Sequence, residues 1–201
     1  AMVKDAKRPV IHVGRGIKDG GDKLVELSKK LQIPIVMTGL AKGLVPDSYE
    51  GNLGMAKRAA SKAADEIMAV SDLVIAIGAD FPFANLIYRT HDFKFIQIDN
   101  DEAQFGRHHF LDFGIWSDAT AFVEKVIARS ETVAPTPFFK AAVADMANWQ
   151  DYLYVLTNRD SDPLEFEPIY KEINRIAEDD AVFSIDVGDN IINSFRHLNL
   201  T

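Results

Sequence analysis

Cysteine is missing altogether from this chain of 201 residues. Its absence excludes a disulfide framework, a thiolate metal site and a cysteine nucleophile. Long apolar runs are missing too: none approaches the roughly 20 residues that a helix needs to cross a bilayer, and no basic stretch leads into an apolar one at the start. Cations are in short supply, with 22 Lys and Arg against 30 Asp and Glu and a formal net charge of −8. Phosphate backbones are bound by clustered Lys and Arg, and no such cluster stands out, which argues against a broad nucleic-acid surface. The expectation from these absences is a soluble, cytoplasmic protein without a membrane span.

What is present is enough chain for one domain of ordinary size plus something smaller, able to bury roughly 70% of its unfolded surface. Both ends read as cuts. Ala1 ahead of Met2 looks like a residue left by expression, and Val182 to Ile185 reads as a fresh strand with little chain after it. A piece of a longer enzyme is expected.

The chain is organised around Pro9-Val-Ile-His-Val-Gly14-Arg-Gly16. An apolar β-branched run ends in glycines, and Leu24, Leu27 and Leu31 then recur at helical spacing, so the stretch predicts strand, turn and helix N-terminus. Bare glycine backbone and a helix start can approach a phosphate. The standard dinucleotide fingerprint is not met, because Asp19 stands where G-x-G-x-x-G needs its third glycine and Gly20 comes one position late. The next strand, Ile33 to Met37, runs into Thr38-Gly39 and not into the acid that would hold the ribose of NAD.

Further strands are predicted at Leu73 to Gly78, Phe95 to Asp99 and Phe113 to Trp116, mostly separated by helix-length intervals. Near-continuous apolar strands of this kind belong to an open parallel α/β sheet flanked by helices, Rossmann-like, with right-handed crossovers. Ligands of such sheets lie outside the carboxyl ends of the strands. Those ends supply Gly14, Arg15 and Gly16; Thr38 and Gly39; Gly78, Ala79, Asp80 and Phe81; Asp99 and Asn100; and Asp118 and Ala119. Between the second and third strands Leu40 to about Lys57 reads as a long loop, expected to fold over the ligand, followed by Arg58 near a helix running to Val70.

A two-proline break at Thr132 to Pro137 precedes a helix from Phe138 to about Leu156, whose apolar stripe predicts a packing surface. After a second break at Asp160 to Pro163 come a predicted helix, Pro168 to Ala177, and a predicted strand, Ala181 to Asp186. The expected division is therefore a nucleotide-binding domain at 1–136, a helical linker segment at 137–163 and the opening helix and strand of a following α/β domain at 164–201. His12, within the first strand, is expected to be a satisfied buried residue. Adjacent side chains such as His108 and His109 point apart, which argues against a metal site there.

The strand-end segments resemble the central domain of thiamine-diphosphate-dependent enzymes, most closely the pyruvate oxidases. The matching text is Pro9 to Gly16, Ala41-Lys-Gly43, Gly78-Ala-Asp-Phe-Pro-Phe-Ala84, Phe95-Ile-Gln-Ile-Asp99, Gly106-Arg-His108, Ser117-Asp-Ala119, Ser184-Ile-Asp-Val-Gly-Asp189 and Arg196-His-Leu198. The resemblance implies an oxidoreductase that converts pyruvate, phosphate and oxygen to acetyl phosphate, carbon dioxide and hydrogen peroxide. It implies FAD in this domain, thiamine diphosphate and Mg2+ in the full-length enzyme, and a homotetramer. Gly14 and Gly16 would then lie at the diphosphate with Arg58 close by, and Thr38, Gly39 and Leu40 along the cofactor's middle. Asn52 and Gly54 would lie near the extended chain or flavin, Gly78, Asp80 and Phe81 on the opposite wall, and Asp99, Asn100, Asp118 and Ala119 around the adenosine. Catalytic and metal-binding residues would lie in other domains, leaving the fragment inactive alone. Relatives of the same architecture bind ADP as a regulator or no nucleotide, so a carboligase or decarboxylase of the acetolactate synthase kind is the alternative. Family members carry asparagine where this chain has Ala79 and Asp80, an acid placed near a dianionic diphosphate.

Overall fold

A computed structural model describes residues 1–57, 61–80, 88 and 91–200. The predicted site residues Arg58 and Phe81 lie outside the described residues. The helices are α1 (Met2–Asp5), α2 (Gly21–Leu31), α3 (Lys62–Val70), α4 (Ala119–Arg129), α5 (Pro137–Thr157), α6 (Phe166–Ile176) and α7 (Asp189–His197). The strands are β1 (Pro9–Val13), β2 (Ile35–Met37), β3 (Asn52–Met55), β4 (Leu73–Ile77), β5 (Lys94–Asp99) and β6 (Phe113–Trp116).

The strands form one six-stranded sheet in the order β3-β2-β1-β4-β5-β6, and every pairing is parallel. Chain order reverses direction between β1 and β4, which is where a doubly wound sheet opens its crevice. Alternation of side chains divides the core. Ile11, Val13, Ile35, Met37, Ile75, Ile77, Ile96 and Ile98 point to one face, beneath α2 and α4. Val10, Val36, Val74, Ala76 and Phe95 point to the other, beneath α3 and α5. Both faces are buried, as the continuous apolar strands require.

Helix ends follow local chemistry. Ser61 caps α3 by accepting from the Ala64 N–H, Asp118 caps α4 through Ala121, and Thr136 caps α5 just before Pro137. The first half of α5 packs on the sheet domain through Phe138, Phe139, Ala142 and Met146, and further along the helix Tyr152, Tyr154 and Val155 are exposed.

The predicted loop between β2 and α3 contains β3, which pairs with β2 at the sheet edge. Its residues, Asn-Leu-Gly-Met, have little strand propensity, and the partner strand supplies the conformation. The expected strand at Ala181 to Asp186 is not formed. Among the described residues it has no neighbouring strand, an isolated strand cannot satisfy its backbone, and Val182 is 95% exposed. A helix, α7, follows Gly188 and was not anticipated.

Candidate functional site

The turns after β1 and β4 are packed directly on each other. A Cβ on Gly14 would lie 2.4 Å from the Gly78 carbonyl oxygen, and one on Gly16 would lie 2.7 Å from the Gly78 Cα. The Gly14 N–H donates to the Ile77 carbonyl at 3.1 Å and the Gly16 N–H to the Gly78 carbonyl at 3.0 Å. These glycines thus make the switch point narrow, and two of their amides are already spent on the end of β4 and the turn after it. The expected approach to the start of α2 is also altered: a Cβ on Gly21 would lie 1.9 Å from the Leu44 carbonyl oxygen, so the loop after β2 presses on that helix end. Arg15, between the two glycines, is exposed.

On the β2 side Thr38 is buried, Leu40 is 71% exposed, and Gly39 lies under Phe195 of α7, whose ring carbon is 3.0 Å from where a Cβ would stand. Asn52 is buried and fully engaged. Its amide nitrogen donates to the Val45 and Pro46 carbonyls at 3.1 and 3.2 Å, and its oxygen accepts from the Gly54 N–H at 2.9 Å. Its side chain holds the loop before β3. A pocket of about 570 Å³ opens between Gly54, Met55 and Ser61 and the helices α5, α6 and α7.

On the β5 side Asp99 ends its strand half-buried, with one carboxylate oxygen accepting from the Asp101 N–H at 3.0 Å. Asn100 is exposed, and its carbonyl accepts from the Trp116 indole at 3.1 Å. Asp118 is spent on capping α4, and Ala119 belongs to the core. Among the described residues, those predicted after β1, β2, β4, β5 and β6 share the carboxyl edge of the sheet, whereas Asn52 opens β3 level with Ile35, the first residue of β2; Asn52, Asp118 and Ala119 have structural tasks.

Asp80 is not a bare acid. Its Oδ1 lies 2.9 Å from His108 Nε2 and its Oδ2 lies 3.8 Å from the Arg107 guanidinium. Sequence reading gave neither Arg107 nor His108 a place in the site, although both stand in the Gly106-Arg-His108 segment. The His109 ring lies against Phe93, centroids 4.3 Å apart and tilted by 33°. His12 is fully buried beside β4, with Nδ1 hydrogen-bonded to the Tyr88 hydroxyl. Burial lowers its pKa from 6.5 to about 4 and raises that of Tyr88, so both are neutral near pH 7.

The family model described as thiamine pyrophosphate enzyme, central domain, matches residues 1–126. The chain belongs to this family. A pyruvate oxidase of Lactiplantibacillus plantarum is 39% identical over 197 residues, covering 98% of this chain and 33% of that protein. An acetolactate synthase of Mycobacterium bovis is 31% identical over 206 residues, covering 94% of this chain and 32% of that protein. The large subunit of acetolactate synthase isozyme 1 of Escherichia coli is 28% identical over 194 residues, covering 94% and 34%. The chain thus spans about a third of the length of these relatives.

Within this central domain the donor set at the sheet edge is chemically suited to a nucleotide. The half-buried Asp99 carboxylate is an acceptor for hydroxyl or amine donors, and Arg15 and Arg107 are exposed cations. Among the described residues no helix is long and apolar enough to cross a membrane.

Proposed function

We propose that residues 1–136 form the FAD-binding domain of a thiamine-diphosphate-dependent pyruvate oxidase. Residues 137–163 link it to the start of the thiamine-diphosphate-binding domain at 164–201. The observation that carries the reading is the glycine-packed switch point between β1 and β4, with the Asp99 carboxylate at the neighbouring strand end. The 39% identity to a pyruvate oxidase favours oxidase chemistry over that of the other relatives.

In this reading the cytoplasmic, homotetrameric full-length enzyme converts pyruvate, phosphate and oxygen to acetyl phosphate, carbon dioxide and hydrogen peroxide. Bound FAD supplies the electron-accepting step, and thiamine diphosphate with Mg2+ is held by other domains. This chain's own part is to bind and orient the flavin nucleotide. Gly14 to Gly16, Gly78 and Asp80 border the diphosphate. Thr38, Gly39, Leu40 and Gly54 flank the extended portion, and Asp99 and Asn100 meet the adenosine. The 201-residue fragment is inactive alone.

The second reading is a carboligase with a structural nucleotide or none, favoured by the likeness to acetolactate synthases at 31% identity. Oxygen uptake and peroxide release by the full-length enzyme, given pyruvate and phosphate, separate the two. Oxidase chemistry consumes oxygen with each pyruvate, whereas pyruvate turnover without oxygen uptake rejects the oxidase reading in favour of the carboligase.

A further inference from the structure

The acid at the carboxyl end of β4 stands two residues beyond Gly78, where the nucleotide reading places a phosphate-bearing ligand. An unpaired carboxylate there would repel such a ligand, and the amides of Gly14 and Gly16 are already committed to the Ile77 and Gly78 carbonyls. Asp80 is paired, however, with two cationic or cation-forming side chains from the connection between β5 and β6. That connection is itself pinned to the sheet. The Gln97 side chain of β5 accepts from the Gly106 N–H at 3.0 Å and donates to the Gln104 carbonyl at 2.9 Å. The Gln104 side chain in turn accepts from Arg107 Nη1. Arg107 therefore donates to the Gln104 side chain and has the Asp80 carboxylate 3.8 Å away as an ion-pair partner from a separate segment. Both Asp80 and Arg107 are about half exposed, and ion pairs so exposed add little to stability. The consequence of the cluster lies in where it puts charge.

We propose that Arg107 and His108 are binding residues of the nucleotide site, with Asp80 as their positioning residue. They offset the Asp80 carboxylate and present the guanidinium to a phosphate-bearing ligand at the β4 end. This rests on the nucleotide reading above. Asp80 and Arg107 together carry no formal net charge, and loss of Arg107 unmasks the acid. The cluster also accounts for how this chain carries an acid where the resemblance led us to expect a neutral amide.

The test is titration of the full-length chain with FAD and with ADP, followed by fluorescence, at low and at physiological salt. Arg107→Ala should weaken binding about tenfold, more at low salt, and His108→Gln should weaken it less. Arg107→Lys should retain most of the affinity. Adding Asp80→Asn to Arg107→Ala should restore affinity to within about threefold of the parent, because the unmasked charge is gone. Hydrogen exchange in ligand-free protein gives an independent readout: amides 104–108 should exchange faster in Asp80→Ala than in the parent. Parent-like binding by Arg107→Ala, failure of Asp80→Asn to restore it, or unchanged exchange overturns the inference alone. A parent chain that binds neither FAD nor ADP overturns the nucleotide reading and this inference with it.

Discussion

Gly78→Ala probes the packing that narrows the switch point. Gly78 has φ +54°, a left-handed conformation that costs an L-residue about 1–2 kcal/mol. Its added Cβ would also lie 2.7 Å from the Gly16 Cα and 2.8 Å from the Gly16 carbonyl carbon. These are backbone atoms of the opposing turn and cannot rotate away, so an overpacking cost of about 1–3 kcal/mol adds to the strain. The sum, about 2–5 kcal/mol, is a large part of the roughly 5–15 kcal/mol that holds a domain folded. Gly106→Ala is the matched comparison: its φ is +71°, but the nearest atoms to its Cβ are 3.9 Å away, so it carries strain without a clash. Urea denaturation of the parent and both variants measures the difference. Gly78→Ala should lower the midpoint clearly further than Gly106→Ala, with m unchanged. Equal losses would mean that the two turns do not press on each other as described. Because Gly16 meets the same backbone, a bulky residue there should unsettle the fold whether or not a nucleotide binds, so Gly16 substitutions report packing before they report ligand.

Two further outcomes concern buried polar groups. The unfolded chain protonates His12 as pH falls through 6.5, whereas the folded chain resists until about 4. Stability should therefore be unaffected by His12 above pH 6.5 and decline from there to about pH 4, by up to about 3 kcal/mol. His12→Gln should flatten that part of the stability curve, and an identical pH slope in the variant would contradict the assignment. Asn52→Ala leaves the Val45 and Pro46 carbonyls and the Gly54 N–H without their partner. A loss of roughly 2–4 kcal/mol is expected; a loss below about 0.5 kcal/mol, within the usual range for surface positions, would show that the loop before β3 is held by other contacts.

The architecture was legible where sequence periodicity and burial agree. Val10 to Val13, Leu73 to Ile77 and Phe95 to Ile98 are buried on both faces, and apolar apart from His12 and Gln97, because helices cover both faces, and that pattern survives in one dimension. Edge strand β3 was not legible, since Asn52 and Gly54 are poor strand formers whose conformation is imposed by β2. The segment at 181–186 shows the converse: an apolar run predicts burial, but a strand needs a neighbour to bond with. Residue type also left roles ambiguous at the site. Asn52 and Asp118 have the oxygen acceptors that a nucleotide would use, and the fold spends them on a loop and a helix cap. Arg107 and His108 lie 27 and 28 positions from Asp80, and nothing local in the sequence announces that pairing.

Retention of FAD by the full-length chain is the most direct measurement. The protein is incubated with excess FAD, freed of unbound flavin by gel filtration, and its flavin absorbance is compared with its protein content. The account predicts one flavin per chain in the parent and a clear loss in Asp99→Ala, with the variant still folded by circular dichroism. A folded parent that elutes free of flavin would contradict it.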